Sequence, residues 1–179
     1  MEKLDKLNRL KTAIKSGNPE LIDHALDEIK NKGDETFIAP LVEFIHQNLT
    51  NVVKEKIYQL FIDLKLENSV DPLVNALKNE NDPDILERLV ASCWQNGLNY
   101  SKHLPFFVQL VIDQEFQIAF EAFTVIENMY GKIDSDVEKA LLDQIGKGLQ
   151  NTDERKHYLL KGMLEIIPNI PIDQDPVDF

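Results

Sequence analysis

Few residues in this 179-residue chain have the type and spacing to do chemistry. Glu43-Phe44-Ile45-His46 puts a carboxylate and an imidazole at i, i+3, on one face of a helix. A di-metal carboxylate site in a helix bundle needs two such pairs and two further glutamates on neighbouring helices. Only this one pair is read here, so Glu43 and His46 read as a polar helix edge. Asp153 and His157 form a single i, i+4 pair, which reads as a surface hydrogen bond. Cys93 with His103 would be a nucleophile and a base, but Cys93 lies in the apolar string LVASCW. A thiol in apolar surroundings is inert. Gly146-Lys147-Gly148 lacks the upstream glycine and the following Ser or Thr of a phosphate loop, and reads as a fraying helix end. No G-x-S-x-G, H-E-x-x-H or G-x-G-x-x-G string occurs. The expectation is a protein that is not an enzyme and uses neither cofactor nor metal.

The elements that would position any site are helices. Leu4, Leu7, Leu10 and Ile14 recur at three- and four-residue steps, as do Leu86, Leu89, Val90 and Cys93. Leu21, Ala25 or Leu26, and Ile29 follow the same rule, and strand alternation is missing. The fold class expected is all-α. Capping side chains precede the periodic runs at Asn18-Pro19, Asp34, Thr50 or Asn51, Asn68 or Ser69, Asp82-Pro83, Ser101, and Asp134 or Ser135. Each can accept from first-turn amides that lack a helical partner. Gly17, Gly33, Gly97 and Gly131 stand at the expected helix ends.

The punctuation is periodic. Asn18-Pro19, Thr50-Asn51 and Asp82-Pro83 are spaced by 32 residues, and Pro40, Pro72 and Pro105 by 32 and 33. The strings IAPLVEFI, VDPLVNAL and HLPFFVQL each place apolar residues one and five positions after the proline. In the fourth copy, VEKALLDQI, Ala140 stands for the proline. Two helices per period that size is the mark of a helical repeat, in which one pair cannot bury its apolar stripe alone.

The Pro-led second helix and the Asn-Pro or Asp-Pro opening of the first resemble a HEAT-type repeat over roughly residues 18–149. The tetratricopeptide and ankyrin patterns are missing. The resemblance implies a right-handed α-α superhelix of about four to five antiparallel helix pairs, HEAT-like or ARM-like. Second helices would line its concave face, and the usual role is protein binding. Residues 1–167 would then form one domain, with 1–17 as a capping helix and 153–167 as the last helix. Residues 168–179, PNIPIDQDPVDF, read as an extended acidic tail, because three prolines prevent a helix.

Charge narrows the partners. Net charge is −12, which opposes nucleic acid, since such binding neutralises phosphates with Lys and Arg. Lys3, Lys6, Arg9, Lys11 and Lys15 stand against Glu2 and Asp5 and read as a solvated helix face. No apolar run is long enough for a membrane span, and the first residues mix charge with Leu, so a cytoplasmic location is expected. The polar positions of the second helices are mixed but lean acidic: Glu43, His46, Gln47, Asp71, Asn75, Lys78, Gln109, Asp143 and Gln144. They suit another protein, a basic one. Residues 103–131 hold no Lys or Arg but five of the nine Phe, among them Phe107 and Phe116. Rings left exposed there would form an apolar patch for a partner or for a second copy, giving a monomer or a weak homodimer. The function expected is a non-catalytic interaction scaffold or adaptor. Alternatives are an acidic, immunity-type inhibitor of a basic protein, or a repeat-fold nucleic-acid-processing enzyme.

Overall fold

The computed structural model describes residues 2–32, 34–151 and 153–172, and among them every regular element is helical. The chain divides into two compact units, residues 1–81 and 82–179. The first unit holds α1 (Glu2–Ser16), α2 (Pro19–Lys32), α3 (Ile38–Ile45), α4 (Asn51–Ile62) and α5 (Val70–Asn79). The second holds α6 (Pro83–Asn96), α7 (Leu104–Asp113), α8 (Phe116–Glu127), α9 (Ser135–Gly148) and α10 (Glu154–Ile166).

The helix starts follow the capping residues read from the sequence. Asn18 Oδ1 accepts from the Glu20 amide at 3.0 Å, and Thr50 Oγ1 from Val53 at 3.4 Å. Asp82 Oδ1 accepts from Asp84 at 3.0 Å, and Asp134 Oδ1 from Asp136 at 2.9 Å. Asp34 caps a 3-10 turn, Glu35–Phe37, that runs straight into α3. Equivalent turns at Glu67–Ser69 and Ser101–His103 lead into α5 and α7. The prolines therefore sit at the second or third helical position, where a missing N–H costs no intrahelical bond. Ser69 makes no side-chain cap, and Ser101 opens the turn rather than the helix. Gly17 and Gly97 end α1 and α6 with φ of +65° and +73°, a conformation other residues rarely adopt. The expected end at Gly33 lies outside the described residues.

Packing inside each unit alternates. In the first, α1 lies on α2, α2 on α4, α3 on α4 and α3 on α5. In the second, α6 packs on α8, α8 on α10, α7 on α8 and α7 on α9. Helices two apart in sequence are thus neighbours, so each apolar stripe is covered from more than one side. The first core contains Phe44, Ile57, Phe61 and Leu73; the second contains Leu89, Phe107, Ala122 and Leu160. Two apolar positions read as inward face water instead: Leu4 is 64% exposed and Leu21 is 52% exposed. Leu10, Ala13 and Ile22 take the buried places. A stripe on a terminal helix pair has fewer neighbours to cover its edge.

Side-chain contacts repeat at about one period. Lys56 bonds Asp23, and Asn68 Nδ2 donates to Glu35 Oε2 at 2.8 Å, each pair 33 residues apart. His46 meets Glu80 across 34 residues, and Gln144 donates to Gln109 across 35. Lys30 and Asp63 form an ion pair of 2.7 Å. Asp63 is held below the usual carboxylate range, chiefly by its bond with Lys30.

The last helix, expected over 153–167 with Leu159, Leu160, Met163, Leu164 and Ile167 inward, runs Glu154–Ile166; Leu159, Leu160 and Met163 are buried on it, Leu164 is half-buried, and Ile167 is buried just past its end. Beyond it, residues Ile167–Asn169 form a 3-10 turn, and the Pro171 carbonyl accepts from the Gly131 amide at 2.8 Å. The start of the expected tail is therefore tied to the loop before α9. Its acidic end, residues 173–179, lies outside the described residues.

Candidate binding cleft on the second helices

The sequence-predicted site residues do not all meet. Glu43, His46 and Asn75 line one cleft of about 520 Å³ between α3 and α5. Gln47 and Asp71 are exposed but do not line it. Gln109 belongs to the second unit, where it lines a cleft with Gln144, Lys147 and Lys156. Phe107 corrects the sequence reading: it is 0% exposed, packed edge-on against Tyr100 and Phe106, and has no surface for a partner. It lies three residues after Leu104, on the same buried face of α7. Phe116 is half-buried at the start of α8.

The α3–α5 cleft has an apolar floor and an acidic rim. Ala39 and Val42 come from α3, Pro72 and Ala76 from α5. Carboxylates arrive from Glu35, in the turn before α3, from Glu43 on α3 and from Glu80 just after α5. None of the lining residues is Lys or Arg. The Glu80 side chain is 3% exposed, while that of His46 is 48% exposed. Their Nε2 and Oε2 atoms lie 2.9 Å apart. The Asn81 amide donates to Glu80 Oε1 at 2.8 Å. A carboxylate taken out of water needs such donors, because desolvation disfavours its charge. Sequence reasoning missed Glu80, Glu35 and Asn79. The period itself carried the signal for Glu80, which stands 34 residues after His46.

The other chemical motifs are accounted for locally. Asp153 does not serve His157 as a side-chain partner; its Oδ1 caps α10, accepting from Arg155 at 2.9 Å and Lys156 at 3.0 Å. Those bonds, Lys156 first, hold its carboxyl below the ordinary value of 3.8. Cys93 is fully buried, its Sγ 3.5 Å from the Leu89 carbonyl, and burial pushes the thiol up to about 12. A second E-x-x-H, Glu154 to His157, escaped the sequence reading; it lies on α10, in the other unit from Glu43 and His46. Among the described residues, no group of three or more His, Cys, Asp or Glu could hold a metal ion. No described helix is long and apolar enough to cross a membrane.

No protein-family model matches the chain, and no curated protein matches it either.

Proposed function

We propose that this chain is a non-catalytic protein-binding module of HEAT-like helix pairs, and that the α3–α5 cleft receives a basic segment of another protein. The cleft carries the reading. The carboxylates of Glu35 and Glu43 border an apolar floor with no Lys or Arg among the lining residues, so a partner's Lys or Arg would gain charge complementarity while its aliphatic stem covers the floor. The superhelical arrangement is supported by the one-period side-chain contacts and by the i, i+2 helix packing inside each unit. A cytoplasmic adaptor would use such a module to hold a partner rather than to transform it.

Calorimetric titration tests this with short peptides that alternate Ala with Lys or with Glu. The Lys peptide binds, the Glu peptide does not, and Glu43→Lys weakens binding by about ten-fold, since juxtaposed like charges cost more than a lost contact. Equal binding of both peptides, or an indifferent Glu43→Lys, overturns the reading. The net charge of −12 also suits a neutralising, immunity-type inhibitor of a basic protein. Neighbourhood of the gene with one for a cationic toxin would favour that version.

A further inference from the structure

The cation-free stretch leaves a strip of aromatic surface on the other set of helices of the second unit. Trp94 on α6 is 38% exposed and Phe120 on α8 is 48% exposed. The Trp94 indole N–H donates to Glu121 Oε2 at 2.7 Å, which ties the ring to α8 at the residue that follows Phe120. One turn earlier, Phe116 lies 6.2 Å from Phe120, centroid to centroid. Arg155, from α10, sits over the Phe116 ring at 5.0 Å. The strip thus crosses α6, α8 and α10, which are packed neighbours.

We infer that this strip is a second docking surface, and that it takes an arginine-bearing segment of a partner protein on the rings of Trp94 and Phe120, with Glu121 as counter-charge. Aromatic faces carry negative charge density and attract cations, Trp most strongly and guanidinium most often. The chain already seats one guanidinium this way, Arg155 on Phe116. Around the rings α8 bears Glu121 and Glu127 with Glu115 at its start, and contains no Lys or Arg, while the strip's own cation, Arg155 on α10, is already seated on Phe116. A second copy would bring those carboxylates against their own kind. An anionic lipid surface would meet the same repulsion, since it is held by clusters of Lys and Arg. None of these residues lines the α3–α5 cleft.

Trp94 is the only tryptophan, so its emission reports on this strip alone. The full chain is titrated with short peptides alternating Ala with Arg, Lys or Glu. The Arg peptide gives a saturable change in emission, the Lys peptide a weaker one and the Glu peptide none. Phe120→Ala and Glu121→Gln each weaken the response by about five-fold, in line with one exposed cation–π or charge contact. Glu121→Gln keeps an acceptor for the indole, and circular dichroism verifies that both variants are folded. Glu43→Lys leaves the emission response unchanged, so failure of the cleft reading appears in calorimetry alone. An unresponsive Trp94, or a response that both variants retain in full, overturns the inference. So does an emission change driven by protein concentration alone or by anionic vesicles.

Discussion

The ammonium of Lys156 on α10 donates to the Ile112 carbonyl at 2.6 Å and to the Gln114 carbonyl at 2.8 Å. The residue is 8% exposed, and it closes the C-terminal end of α7, where carbonyls lack helical donors and the helix dipole favours a cation. Lys156→Met keeps the aliphatic stem and removes the donors. Two carbonyls are left without this partner, which costs about 1–3 kcal/mol of stability. Urea unfolding measures it, as a lower midpoint at unchanged slope.

Gly162 lies in the middle of α10, where alanine ordinarily gains about 1 kcal/mol of helix propensity over glycine. Here a Cβ would stand 2.9 Å from Cε2 and Cζ of Phe123, a ring 7% exposed. Overpacking costs about 1–3 kcal/mol, so the clash outweighs the propensity. Gly162→Ala is therefore destabilising, while Gly146→Ala, whose Cβ meets nothing within 4 Å, is stabilising. Thermal melts of the two variants show opposite shifts.

Cys93 stays unmodified in the folded chain. The thiolate is the reactive form, and burial raises the thiol to about 12. Iodoacetamide at about pH 8 labels it only after denaturant is added, as mass spectrometry of the intact protein shows. Labelling of the native chain at the denatured rate would contradict the burial.

Acid destabilises this fold through particular carboxylates. Asp63 is held below 3.8 by Lys30, and Asp153 by the amides of Lys156 and Arg155. A carboxylate lowered in the folded state stabilises it fully above its unfolded value, and that contribution is lost as pH falls through the folded value. Glu127 has the opposite sign: burial raises it above 4.5, so its ionisation opposes folding as pH rises. Melting temperature followed from neutral pH down into acid should fall below about pH 3.8, with a shallower fall in Asp153→Asn. Glu127→Gln should melt higher than the parent at neutral pH and equal to it once Glu127 is protonated.

Much of the fold could be read along the chain because its signals are local. A capping side chain reaches amides two and three residues on, so Asn18, Thr50, Asp82 and Asp134 announced their helices. The site was less legible. Glu43, His46 and Asn75 converge where α3 and α5 face each other, but Asp71 on α5 and Gln47, just past the end of α3, miss the cleft. Phe107 and Phe120 are indistinguishable as sequence, and one is buried while the other is exposed.

The sequence alone determined that the chain is helical and where several of its helices begin, since backbone capping and apolar spacing act over a few residues. Tertiary structure decided which apolar residues are core and which are surface. It paired Glu80 with His46, brought Arg155 to Phe116 and set Lys156 on the end of α7. Those outcomes depend on the rotation of one helix against another, which local spacing does not encode.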